Sequence, residues 1–233
     1  MWNGKKKAIT FSYDDGVTQD ARLVEIFNKY GIRATFNLNY GLLGTQNRLV
    51  RNGVEISHNK LAPADVRYVY EGHEVAAHTL THPLLPAIAD DTEIVQQVEE
   101  DRLRLSELAG YEVVGFAYPG GGVNYDDRVA SLVRERTGVR YARTTETTKA
   151  FLPPKDLYRL RGSFYHHTEW EEMRQAAERF LALSPEEPAL LYIWGHSYEF
   201  DIYPERWREL EEFCRMIGER EDIFYGTNRE VLL

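Results

Sequence analysis

Two adjacent carboxylates, Asp14 and Asp15, end an apolar run and are followed by Gly16; a pair of histidines four apart, His78 and His82, follows a second run. A third run closes on Trp194-Gly195-His196. Adjacent acids at the end of an apolar segment are expensive to desolvate unless something positive faces them, and Gly16 lets the backbone turn sharply beside them. On one helical turn, His78 and His82 point their imidazoles the same way. Two imidazoles and one carboxylate suit a divalent ion with one coordination position left open, which is a catalytic rather than a structural pattern. Cys214 is the sole thiol in the chain, so zinc is the first expectation, with cobalt, nickel and manganese suited to the same donors. Alone, an H-x-x-x-H pair is commonly two unrelated histidines, and Asp-Asp-Gly is commonly a turn. Their coincidence at the ends of separate apolar runs points to hydrolysis.

Such groups need strands that end where the site begins. Short β-branched and aromatic runs occur at residues 8–13, 34–38, 74–77, 113–118, 140–144, 158–164, 189–194 and 223–225. Amphipathic stretches separate them at 19–30, 63–70, 91–108, 126–136, 169–183 and 205–217. In the third of these, Ile94, Val95, Val98, Leu105 and Leu108 share one helical face, Asp90 or Asp91 caps the start, and Gly110 ends it. Strands alternating with helices build parallel βαβ units. Seven or eight units form a closed barrel or a doubly wound sheet, and in either the polar site residues gather at strand ends. No repeat or Gly/Ser/Pro-rich linker divides the chain, so residues 1–233 are expected to form a single catalytic domain. Residues 41–58 fit no element and are expected to be a substrate-facing insertion.

Apolar residues make up 43% and charged residues 28% of the chain, ordinary values for a folded protein. The net charge of −9 argues against a nucleic-acid partner, and favours a neutral or weakly charged small molecule. No window is long and apolar enough for a membrane span. With no secretory pattern at the N-terminus, a cytoplasmic location and no membrane partner are expected. Cys214 excludes an intramolecular disulfide and reads as a small buried hydrophobe.

The order and spacing of these pieces resemble the polysaccharide deacetylases of carbohydrate esterase family 4, which share the nodulation-protein-B homology domain. Ser12-Tyr13-Asp14-Asp15-Gly16 stands where that family has T-F-D-D-G. His78-Thr79-Leu80-Thr81-His82 matches its H-[ST]-x-x-H, with Gly72-His73-Glu74-Val75 before it, and Ile193-Trp194-Gly195-His196 is similar to its late leucine/isoleucine-x-x-His. The resemblance runs from Ile9 to His196. It implies a distorted (β/α) barrel, TIM-barrel-like and commonly seven-stranded. It also implies one divalent metal ion on Asp15, His78 and His82, with Asp14 as general base and His196 as general acid. The implied reaction hydrolyses an acetyl amide or ester on an acetylated sugar or oligosaccharide. A hydrolase of another linear or cyclic amide, and a non-catalytic carbohydrate-binding barrel, are the alternatives on that fold.

The third family motif, R-x-P-[FY], departs. Its place is taken by Ala117-Tyr118-Pro119-Gly120, with Ala117 where the arginine that pairs with the base would stand. Tyr118, Pro119 and Gly120 are expected to form the oxyanion and substrate loop, Gly120 replacing the aromatic residue whose N–H would face the oxyanion. Without the arginine, Asp14 loses the group that would orient it and hold its pKa down. Arg143 and Arg161, on the fifth and sixth strands, are candidates to replace it, Arg143 first. Tyr198 and Glu199, in the acidic and aromatic stretch after His196, are expected to contact the sugar. Trp170 is a candidate for the fourth motif and reads better as core; His73 reads as structural, and His166 and His167 as loop residues, either of which could reach the site mouth.

Overall fold

β1 (Lys7–Asp14) is buried at every position, as a central strand must be in a parallel sheet covered on both faces. The computed structural model describes residues 2–233. After β1 come α1 (Asp20–Lys29), β2 (Ala34–Leu38), β3 (Arg48–Arg51), β4 (Val54–Ser57), α2 (Val66–Val69), β5 (Glu74–Ala77), α3 (Asp91–Ala109), β6 (Gly115–Ala117) and α4 (Asp127–Arg136). They are followed by β7 (Tyr141–Thr147), β8 (Leu160–Gly162), β9 (Phe164–Tyr165), α5 (Trp170–Ala182), β10 (Ala189–Gly195), α6 (Glu205–Ile217), β11 (Ile223–Tyr225) and α7 (Asn228–Leu232).

The main sheet runs β8-β7-β6-β5-β2-β1-β10-β9, with β11 beside β1, and its pairs are parallel. β8 and β9 are two halves of one extended stretch, the first half pairing with β7 and the second with β10. Between them Ser163 N–H donates to Tyr192 O at 2.6 Å. This stretch joins the two ends of the sheet, and the strands ring round as a distorted seven-membered barrel. The sequence leads one to expect a single strand over 158–164; it breaks at Ser163 because each half answers to a different neighbour.

Apolar helix faces cover the ring. In α3, Ile94, Val98 and Leu105 are fully buried, Asp90 Oδ1 accepts the Thr92 N–H at 2.8 Å, and Gly110 takes the left-handed conformation that ends the helix. Cys214 lies buried in the same core. At the end of the barrel away from the site, the short helix α7 inserts Asn228 among Thr10, Thr35 and Tyr192.

Residues 41–58, without an element in the sequence reading, hold the antiparallel hairpin β3–β4. Asn52 and Gly53 both have positive φ, the two-residue turn whose twist suits a hairpin. Its strands are short and largely exposed; the alternation of Val54-Glu55-Ile56-Ser57 covers four residues and is not matched in Arg48–Arg51, so it is a weak signal. Ile56 packs with Val17, Tyr198 and Ile202, and Asn52 Nδ2 donates to Tyr203 Oη at 3.0 Å. These contacts hold the hairpin over the C-terminal strand ends.

Candidate active site

At those strand ends lies an open cavity of about 710 Å³ that Asp14, Asp15, His78, His82 and His196 all line. Asp14 ends β1, His78 follows β5 and His196 follows β10. Neighbouring parallel strands therefore bring together side chains far apart in sequence.

One ligand atom from each of Asp15, His78 and His82 lies within 4.8 Å of the others. The His78–His82 segment is not helical, contrary to the expectation of a shared helical turn. Thr79 and His82 have positive φ, and the loop is pinned to α3 by Leu80 N–H donating to Gln97 O at 2.8 Å. His82 N–H donates to Thr79 Oγ1 at 3.1 Å. His78 is turned by two bonds. Its Nδ1 lies 2.8 Å from the Ala117 carbonyl, to which it donates, and its backbone N–H donates to Asp101 Oδ2 at 2.9 Å. The first bond leaves the Nε2 lone pair for the cavity, the arrangement that orients a ligating imidazole. Burial pushes the His78 pKa down to about 4, so the ring is a neutral donor at pH 7. The donor set fits a divalent ion.

Asp14 is a buried carboxylate with a full set of partners. Arg143 Nη2 donates to Oδ1 at 2.6 Å and to Oδ2 at 2.5 Å, and Asn37 Nδ2 donates to Oδ1 at 2.8 Å. Burial pushes the Asp14 pKa up, but the Arg143 charge, His78 and His196 outweigh it and hold the carboxyl below its ordinary value. Arg143 itself is fully buried, lies across the Trp194 ring at 4.6 Å and donates through Nη1 to Thr144 O at 2.9 Å. In the β6–β7 register Ala117 is paired with Arg143. The guanidinium thus reaches the base from the adjacent strand, one register step sideways from the family position. Arg161 is exposed on β8.

His196 Nε2 faces Asp14 Oδ2 at 3.9 Å, and its Nδ1 lies 3.2 Å from Glu199 Oε1. Burial alone would depress the His196 pKa; the charge and hydrogen bond of Glu199 outweigh it and raise it to about 9. Glu199 was expected to meet substrate. It lines the cavity, and its carboxylate is also held by the protein: it accepts the His196 N–H at 3.0 Å, bonds the Tyr165 hydroxyl and lies 3.0 Å from His166 Nε2. The reason is the short helical turn after His196, which folds Glu199 back onto the histidine. His166 lies in the loop after β9, as expected, but is buried and stacks on Phe200 at 4.5 Å.

Gly195 makes that packing feasible. A Cβ on Gly195 would lie 1.7 Å from His166 Cδ2. Gly195→Ala is therefore expected to displace His166 and the adjoining His196, destabilising the fold by about 1–3 kcal/mol; thermal unfolding measures it, and an unchanged midpoint would contradict the packing argument.

The remaining expected residues divide clearly. Tyr198 lines the cavity, its ring 5.0 Å from that of His196. Gly120 lines the cavity with Gly121 and Gly122. Pro119 is buried, and Tyr118 also lines the cavity while its hydroxyl donates to Tyr158 O at 2.9 Å. Trp170 packs in the core against Phe200 and Phe213, and His73 ties Ala34 N–H to Asn28. Sequence reasoning missed Asn37, Asp101, His58 and Lys60, whose places depend on register and on the hairpin.

The model of the family described as polysaccharide deacetylase matches residues 2–142. The chain belongs to the polysaccharide deacetylase family. No curated protein sequence matches it. Among solved structures, this family member is similar to the Xyl-CE4 domain of a multidomain xylanase from the hindgut metagenome of Trinervitermes trinervoides. That match has 16% identity and a TM-score of 0.60, over 97% of this chain and 89% of that one. A family 4 acetyl xylan esterase from Clostridium thermocellum, in complex with a cobalt ion, matches at 17% identity and a TM-score of 0.57, over 97% and 90%. The Streptococcus pyogenes deacetylase PplD, in complex with acetate, matches at 21% identity and a TM-score of 0.51 over 64% of this chain, which spans 62% of that chain's length. At these identities the likeness is one of fold.

Proposed function

We propose that this family member is a metal-dependent deacetylase that releases acetate from an N-acetylated or O-acetylated sugar or short oligosaccharide. The observation that carries the reading is Asp14 held by Arg143 at 2.5 Å while His196 faces it at 3.9 Å. An oriented acceptor and an oriented donor thus stand on either side of one small space. Asp15, His78 and His82 would hold the ion, with zinc the first choice for two imidazoles and a carboxylate and with cobalt, nickel or manganese able to take the same place. Such an ion would polarise the acetyl carbonyl and acidify the attacking water.

The chain's own groups do the rest. Asp14 Oδ2 accepts the proton lost by water as its oxygen bonds to the acetyl carbon. His196 Nε2–H donates to the sugar nitrogen or oxygen as its bond to that carbon breaks, leaving acetate and an amine or alcohol. Glu199 keeps His196 in the donating form and fixes its ring. Tyr198, Trp194 and Tyr165 offer an aromatic wall on which a sugar face can stack.

The test is acetate release from acetylated chito- and xylo-oligosaccharides, with metal content measured by elemental analysis on the same samples. Chelation, or Asp15→Asn, is expected to abolish release and ion content together. Full ion occupancy with no acetate from any acetylated sugar would sink the proposal.

A further inference from the structure

Asp15 is approached from the hairpin side as well as by the two histidines. The chain leaving β4 places His58 Nε2 3.1 Å from Asp15 Oδ2 and Lys60 Nζ 3.4 Å from Oδ1. The two incoming groups also lie 3.4 Å from each other. Lys60 is a buried cation, its side chain 4% exposed, and Asp15 is its only ion-pair partner among the described residues. The other carboxylates of the cavity have cations of their own: Asp14 has Arg143, and Glu199 has His196. Oδ1, the oxygen beside Lys60, is also the one 3.6 Å from His82 Nε2. The ammonium therefore points at the side of Asp15 where the three donors converge.

A divalent ion drawn to those donors meets a fixed like charge close by, in surroundings poorly screened by water. We propose that Lys60 is a built-in competitor of the metal: its ammonium balances Asp15 when no ion is bound, and it sets the cluster's affinity for divalent cations below what the three donors alone would give. The inference rests on the metal reading above. Geometry and charge can be separated here. Lys60 is fixed through its backbone, its N–H donating to Thr45 O at 2.9 Å and its residue forming an isolated antiparallel bridge with Val17, and His58 is expected to keep holding Asp15 when the Lys60 charge is removed.

The experiment is calorimetric titration of metal-stripped full-length protein with zinc and with cobalt, for the wild type, Lys60→Met and Lys60→Arg. Methionine fills the space of the buried stem without charge, and arginine restores the charge; thermal unfolding in chelator confirms that each variant is folded. Lys60→Met is expected to bind either ion at least about tenfold more tightly than wild type, and Lys60→Arg within a few-fold of it. Binding by Lys60→Met that is equal to or weaker than wild type overturns the role of Lys60. Absence of binding by both wild type and Lys60→Met overturns instead the metal reading beneath it. Binding by Lys60→Met alone would be the strongest support.

Discussion

Replacing Arg143 with methionine is expected to lower acetate turnover by about 10²-fold to 10³-fold and the melting temperature by roughly 10 °C. Both effects come from one contact. Asp14 is buried, and among the described residues Arg143 is the only cation bonded to both of its oxygens. Without the guanidinium, burial works unopposed by its main counterweight, and the Asp14 carboxyl moves up. In the wild type the folded-state pKa is depressed, so its contribution to stability is present above the unfolded value of about 4 and is lost as pH falls through the lower folded one. In the variant the sign reverses, and its stability deficit narrows as pH falls. For catalysis, the acidic limb of kcat moves to higher pH, because a protonated Asp14 cannot accept a proton. Arg143→Lys recovers only part of the loss, since an ammonium lacks the guanidinium's planar fork. Steady-state kinetics and thermal unfolding across pH measure all of this. Unchanged kcat with an unchanged acidic limb would remove Arg143 from catalysis.

Glu199→Gln should act at the opposite end of the profile. The substitution keeps the shape that meets Tyr165 and the His196 N–H and removes the charge that holds the His196 proton. With its folded pKa raised to about 9, His196 contributes stability that is fully present below the ordinary histidine value of about 6.5 and is lost as pH rises through about 9. In Glu199→Gln that alkaline loss shrinks, and the alkaline limb of kcat moves to lower pH because the ring gives up its proton sooner. A bound ion also draws the His196 pKa down, so the two proteins are compared at equal metal loading. A loss of about tenfold in kcat near neutral pH, with little change in KM, is expected for a group that acts through His196. An alkaline limb that stays in place would leave Glu199 with a purely structural role.

Much of this arrangement is legible in the amino-acid sequence, because β1, β2, β5 and β10 are buried along their whole lengths and so read as apolar runs ending in polar groups. The residues Asp14, Asp15, His78, His82 and His196 sit at those ends and can be named from order alone. Arg143 can be nominated but not placed: its contact with Asp14 depends on β6 and β7 pairing in register, which no periodicity encodes. The hairpin is hidden because its strands are solvated at most positions, although Asn52-Gly53 is itself a turn signal. Lys60 and His58 follow from the hairpin and are hidden with it. The assumption of a helical turn over His78–His82 fails because spacing of four is also met by a loop with two left-handed residues. The bond from Glu199 to His196 is hidden as well, because it follows from the backbone turn after His196.

The Ala117–Arg143 register has a consequence for how such chains are sorted. Motifs are written along one strand, whereas the cavity samples neighbouring strands at the same height. A cationic group can therefore keep its place in space while its address in the sequence moves by 26 positions. A motif scan that scores only the 117 column would file this chain with members that have lost their base partner. Scoring the paired columns as a single position would separate a relocated arginine from a missing one.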